Sequence, residues 1–363
     1  MDVILSHETA LEVLRRRDLR GRVARGERPA IEAPPLAPRR DELLARIEGS
    51  PVLRGISLPL DLLVSSDGGR VRTALSRAHL QWAPLPAGSV VRLAEGVFCT
   101  APEQLAVQMA PRLTMLELAV LLSELMGTYS IDADLEDGMS QRPVPLMTRE
   151  GLFAHLDALG SRPGVLRVRR AAAMACVGSG SPRETKLSMR YGLKPARGGH
   201  HLNVLSMNEP LEVRRIIGSM RAGVRKPDLL IGGPEGRIVA VEYLGRHHDE
   251  PARLVQDANR TNELKAIGVS EYVIRREQYA DLDYMDGIAD AIRRELGLPR
   301  IGLAPDERER RRVRRAELFE ELKRIDGTHW DGRARERLRA AGAPEPAEAD
   351  GWDIVPLSAY GLG

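Results

Sequence analysis

Two carboxylates sit at the ends of otherwise apolar strand candidates, and this placement constrains the chain more than any other feature. Asp228 precedes Leu229-Leu230-Ile231, and Glu242 follows Ile238-Val239-Ala240-Val241. The segments Pro227 to Ile231 and Arg237 to Leu244 flank Gly232-Gly233-Pro234-Glu235-Gly236, a dense turn signal, so an antiparallel hairpin is expected. A hairpin centred near Glu235 sets Asp228 opposite Glu242 and Lys226 opposite Leu244, and a slip of one residue moves every side chain to the other face. Burying an unpaired carboxylate in such strands costs several kcal/mol. A shared metal ion accounts for both acids, and so do two carboxylates at an exposed sheet end paired with arginines.

The surrounding elements follow from punctuation. Helices are expected over Glu150 to Leu159 and Val165 to Cys176. Ser181-Pro182-Arg183-Glu184 opens another as a capping box with proline at the first helical position. A strand over His201 to Met207 precedes the hairpin. A helix over Pro251 to Ile267 stops at Gly268, a strand covers Glu271 to Arg275, and a helix covers Met285 to Leu296. From Ser181 onward the order is α-β-β-β-α-β. Glu184 has a structural explanation as the N3 acid of its cap and a functional one as a third carboxylate.

This order, with its three acids, resembles the PD-(D/E)xK restriction-endonuclease-like nucleases. The resemblance implies Mg²⁺- or Mn²⁺-dependent hydrolysis of DNA phosphodiesters. Mg²⁺ prefers an octahedron of oxygens, which Asp228, Glu242 and the carbonyl of Tyr243 suit, with Glu184 assisting through water. The nuclease pattern places a lysine two residues after the second carboxylate; Leu244 stands there, and Lys226 is expected to supply the cation from the neighbouring strand. Gly245-Arg246-His247-His248, followed by Asp257 and Arg260, resembles the very-short-patch-repair-like branch over about residues 150–299. That branch implies a proton shuttle at His248, less readily at His247, and phosphate contacts from Arg246 and Arg260. Asp257 and Arg260 also read simply as an i,i+3 surface ion pair.

The first half has a different rhythm. Leu60, Leu62 and Val64 alternate with other residues, Ser65 to Gly69 is a turn, and Ala78 to Trp82 and Val90 to Cys99 have strand character. Thr100-Ala101-Pro102-Glu103 is a helix start, and two helices reach about Gly127. This block, with Thr100-Ala101-Pro102-Glu103-Gln104 after a strand, resembles the AbiEi-type antitoxin domain of type IV toxin–antitoxin systems, which implies DNA binding or a protein partner. Before it lie a helix from Ser6, a proline-rich linker over Gly26 to Arg40 and a short helix over Asp41 to Ile47. After Pro305 comes a charged helix. Its Arg310 and Arg311 lie in the densest positive run, read either as a solvated face or as a DNA contact.

A length of 363 residues suits two or three domains. The layout expected is 1–50, an N-terminal helix and linker; 51–148, the AbiEi-like block; 149–300, the nuclease-like block; and 301–363, a charged tail. The fold class is α+β in two modules, the C-terminal one a restriction-endonuclease-like α-β-β-β-α-β core with a central mixed sheet. Fifty-four basic residues against 51 acidic ones leave a net charge of only +3, so global charge says little about nucleic acid. Two cysteines support neither a disulfide framework nor a cysteine zinc site. No signal peptide or apolar span is evident, so a cytoplasmic, non-membrane protein is expected. The function expected is a DNA endonuclease acting in defence or repair; the alternative is a non-catalytic DNA-binding regulator whose nuclease fold has lost activity.

Overall fold

The computed structural model describes residues 2–68, 72–214, 222–245, 262–299, 301–330 and 332–333. The architecture is α+β with mixed sheets. The first sheet takes its central strand from the extreme N-terminus. β1 (Val3–Leu5) is wholly buried, pairing antiparallel with β2 (Leu60–Val64) and parallel with β5 (Val97–Thr100). β3 (Ser76–Leu80) lies parallel to β2, and β4 (Val90–Ala94) pairs antiparallel with β5, giving the order β3-β2-β1-β5-β4. The segment expected to precede this block therefore supplies its middle. The stretch from Val90 to Cys99 divides into two strands because Glu95-Gly96 makes a turn, with Gly96 at a φ of +64°.

Helices α1 (His7–Arg15), α2 (Arg20–Arg25), α3 (Arg40–Gly49), α4 (Pro102–Met109) and α5 (Met115–Leu125) accompany this sheet. Thr100 ends β5, and Ala101 is the residue that precedes α4. Thr114 caps α5 by accepting from the Glu117 N–H, while Glu117 accepts from the Thr114 N–H. The second acid of this helix, Glu124, is buried and receives both Nε and Nη2 of Arg15 at 2.8 and 2.7 Å. A short hairpin, β6 (Tyr129–Ile131) with β7 (Met139–Gln141), leads to α6 (Arg149–Leu159) and α7 (Val165–Ala172). Leu152, Leu156, Val165 and Val168 of these two helices are buried in the same core as Leu5, Leu62, Leu105 and Leu121. The first core thus extends well past residue 148, and the expected seam runs through its interior.

The second sheet follows α8 (Pro182–Gly192). Its strands are β8 (Asn203–Ser206), β11 (Leu229–Gly232), β12 (Ile238–Leu244) and β13 (Ser270–Arg275), in the order β13-β12-β11-β8. A hairpin of β9 (Leu211–Arg214) and β10 (Ala222–Arg225), not anticipated from sequence, stands between β8 and β11. β11 is antiparallel to β8 and β12, and β12 is parallel to β13. Leu229, Ile231, Val239 and Val241 face one way, against Leu187 and Tyr191 of α8 and Met285 and Ile292 of α11 (Leu282–Glu295). Leu230, Ile238 and Ala240 face the other way, against Leu211 and Val213 of the hairpin and Leu264 of α9 (residues 262–266). A short α10 (Arg276–Ala280) and the charged α12 (Pro305–Arg324) are the remaining named elements among the described residues.

α8 is the shared wall. Leu187 and Tyr191 enter the second core, whereas Met189 and Leu193 enter the first, together with Leu318, Leu322 and Ile325 from α12 and beyond. Among the described residues no helix is long and apolar enough to cross a membrane.

Candidate metal centre

The hairpin forms in the expected register. Leu229 pairs with Val241 and Gly232 with Ile238, and one further step sets Asp228 opposite Glu242 at the mouth of the strand pair. The two acids interlock through the backbone. The Tyr243 N–H donates to Asp228 Oδ2 at 2.7 Å, and the Asp228 N–H lies 3.3 Å from Glu242 Oε2. Each carboxylate is thus fixed by a main-chain group of the opposite strand, and both are half-buried. Because Leu229 and Val241 fill the opposite face, Asp228 and Glu242 lie on the face of Leu230 and Ala240.

The donor set fits a hard divalent ion. Alternation along β12 sends the N–H and C=O of Tyr243 toward β11, where the next residue of the ladder is Pro227. Proline has no N–H, so it offers the Tyr243 carbonyl no ladder bond. Two carboxylates and a carbonyl are oxygen ligands of the kind Mg²⁺ takes, with water completing the octahedron. No cluster of three or more His, Cys, Asp or Glu arranged for a metal occurs among the described residues.

Glu184 reaches this place indirectly. Ser181 Oγ accepts from the Glu184 N–H at 3.1 Å, as the cap requires. The Glu184 carboxylate turns elsewhere: Oε2 accepts from the Gly180 N–H at 2.7 Å and from Asn208 Nδ2 at 2.5 Å. Burial raises its pKa above the ordinary carboxylate value, against the lowering effect of these hydrogen bonds. Asn208 connects the acids. Its amide also donates to the Gly178 carbonyl, and its main-chain N–H lies 3.0 and 3.3 Å from the carbonyls of Pro227 and Asp228. It has a φ of +53°, a left-handed conformation that asparagine tolerates. Sequence reading missed this residue; Asn208-Glu209-Pro210 signals a turn, but nothing in it signals the amide's partners.

No protein-family model, curated protein or solved structure matches this chain.

The other expected site residues are placed less closely. Lys226 is exposed and lies before the first residue of β11, in the connection from β10, so sheet pairing does not hold it beside Glu242. Leu244, the last residue of β12, is half-buried. Arg246, His247, His248, Asp257 and Arg260 lie outside the described residues. Arg310 Nε and Arg311 Nε bond the two oxygens of Glu307 at 3.0 and 2.8 Å, and Arg312 and Arg315 of the same helix pair with Asp283 and Asp286. Much of the basic run on α12 is thus matched by acids within the chain.

Proposed function

We infer that this chain is a divalent-cation-dependent nuclease that hydrolyses DNA phosphodiesters, with a restriction-endonuclease-like core of the very-short-patch-repair-like kind preceded by an AbiEi-like block. The observation that carries this reading is the reciprocal pairing of Asp228 and Glu242 across β11 and β12. Two carboxylates brought to one strand mouth beside a main-chain carbonyl are the oxygen donors that a hard divalent cation takes. Asp228, Glu242 and the Tyr243 carbonyl would hold Mg²⁺ or Mn²⁺. When bound, such an ion polarises the phosphate and lowers the pKa of attacking water.

The chain's own residues then have distinct tasks. Asp228 and Glu242 arrive oriented, since each is tethered to the other strand's backbone. Glu184 acts on Asp228 through Asn208, keeping the entrance to β11 in place. Lys226, exposed on the connection to β10, meets a phosphate oxygen as a mobile cation. Arg246 and Arg260 contact the DNA backbone, and His248 moves the proton of the attacking water or leaving oxygen. Arg310 and Arg311 contribute to DNA binding only by exchanging Glu307 for phosphate.

The test is nicking of supercoiled plasmid with Mg²⁺ or Mn²⁺ by the full chain and by Asp228→Ala and Glu242→Ala. Cleavage by wild type that both substitutions abolish supports the metal site. Leu244 at the lysine position favours a second reading, a DNA-binding regulator without catalysis. Plasmid retarded on a gel in EDTA yet never cut with metal would establish that reading instead.

A further inference from the structure

The first sheet carries a second concentration of reactive side chains, far from the acids of β11 and β12 in sequence. His7 opens α1 with a φ of +48°, uncommon for a residue other than glycine. Its ring stacks on that of His79 with centroids 3.7 Å apart and planes 23° from parallel. His7 Nδ1 lies 3.0 Å from Ser6 Oγ, which leaves Nε2 as its other ring nitrogen. His79 Nε2 lies 2.7 Å from Asp61 Oδ1, and Arg77 Nη2 donates to Asp61 Oδ2 at 2.9 Å. Asp61 has no exposed surface, so its charge is committed to this ring and this guanidinium.

The cluster is open on one side. The side chains of His79, Arg77 and Arg112 are 19%, 22% and 32% exposed. Glu8 bridges the two arginines, with Oε2 3.3 Å from Arg77 Nη2 and Oε1 3.0 Å from Arg112 Nη1. A carboxylate held between guanidiniums from separate elements marks a position that two phosphate oxygens also suit. The two imidazoles differ in character. Burial, then the neighbouring His79 and Arg112, hold the His7 pKa well below its ordinary value, so this ring is a neutral proton acceptor near pH 7. His79 has the Asp61 carboxylate at its Nε2, which fixes the ring and leaves Nδ1 as its other nitrogen.

We propose that this cluster is a second, separate active site that cleaves RNA by attack of the ribose 2′-hydroxyl on the adjacent phosphodiester, with His7 and His79 as proton acceptor and donor. The stacking holds the two rings side by side, so that both edges belong to one cluster. The 2′-oxygen forms its bond to phosphorus and passes its proton to His7 Nε2. The bond from phosphorus to the 5′-oxygen breaks, and that oxygen takes a proton from His79 Nδ1. Arg77 and Arg112 meet the non-bridging oxygens by exchanging Glu8 for phosphate. The products are a 2′,3′-cyclic phosphate and a 5′-hydroxyl, and proton exchange with water restores both rings without a further reactant.

The test uses the full chain in excess EDTA with a 5′-labelled DNA strand containing one ribonucleotide, beside the same strand in all-deoxy form. The expected result is a cut after the ribonucleotide, leaving a cyclic phosphate, with the all-deoxy strand intact. His7→Ala and His79→Gln, purified identically, are expected to cut about 10²-fold more slowly or worse. The substrate comparison leaves the protein unaltered, so it does not depend on how the variants fold. Wild type that leaves the ribonucleotide strand whole, or folded histidine variants that cut at the wild-type rate, would overturn the assignment.

Discussion

Asn208 is the most informative residue to change, because two physical effects meet there and can be separated. In Asn208→Ala the carboxylate of Glu184 loses a 2.5 Å amide donor in a buried setting, and the Gly178 carbonyl loses its bond of 3.1 Å. A hydrogen bond to a charged group is worth about 1.5–3 kcal/mol. The φ of +53° adds about 1 kcal/mol for alanine, which tolerates the left-handed region poorly. Asn208→Ala is therefore expected to lose about 2.5–4 kcal/mol. Asn208→Gly loses the same hydrogen bonds but none of the backbone penalty, and should be the more stable of the two by about 1 kcal/mol. Thermal unfolding followed by circular dichroism measures both. Metal-dependent cleavage should fall in both variants, since each leaves Glu184 held by the Gly180 N–H without the amide, while the main-chain N–H of residue 208 still meets the Asp228 carbonyl. Both variants melting with wild type would refute the claim that this amide holds Glu184. Glycine no better than alanine would refute the backbone argument alone.

Two further predictions concern pH. Burial, and then Arg162 and Arg28, lower His155 to about 4 from its ordinary 6.5. Between these values the unfolded chain binds more protons than the folded one, so stability rises with pH across this window and is lost as pH falls through it. That loss amounts to about 3 kcal/mol at full protonation; His155→Gln, which can retain a bond to Gln104, should flatten the pH profile of the melting midpoint. Lys186 donates to the Ile325 carbonyl at 2.6 Å, and burial lowers its pKa to about 8 from 10.5. Here too the unfolded chain holds the extra proton, so stability should rise with pH between about 8 and 10.5, and Lys186→Met should remove that slope.

The sequence reading located the acids of the proposed centre but not the wall behind them. The register of β11 with β12 was legible because Gly232 to Gly236 marks the turn and both strands are apolar. Parity then fixes which side chains share a face. The capping of α8 by Ser181 was legible for the same local reason. β1 was not, since three residues carry no period and its burial comes from β2 and β5 on either side. The β9–β10 hairpin was missed because Glu212, Arg214 and Arg225 dilute its apolar pattern, and Leu211 and Val213 alternate with them over too short a stretch to show a period. Asp61 and His79 looked like ordinary strand residues. Only the parallel pairing of β2 with β3 brings them into one hydrogen bond.

The same long-range packing decides whether the second half is an independent unit, and it predicts that it is not. A fragment starting at residue 149 keeps α6, α7, α8 and α12 but removes the partner surface for Leu152, Leu156, Leu159, Val165, Val168 and Met189. Exposing a large apolar side chain costs about 1.5–3 kcal/mol, so six of them cost on the order of 10 kcal/mol. That is comparable with the whole stability of a typical domain, about 5–15 kcal/mol. The loss reaches the proposed centre as well. Gln141 Nε2 on β7 donates to the Gly180 carbonyl at 2.8 Å, and the Gly180 N–H holds Glu184. The fragment is expected to lose its cooperative melting transition and to bind a hydrophobic dye such as ANS. A fragment with a sharp transition and wild-type plasmid nicking would refute the shared wall, and with it the argument that the first block is scaffold for the acids as well as a module in its own right.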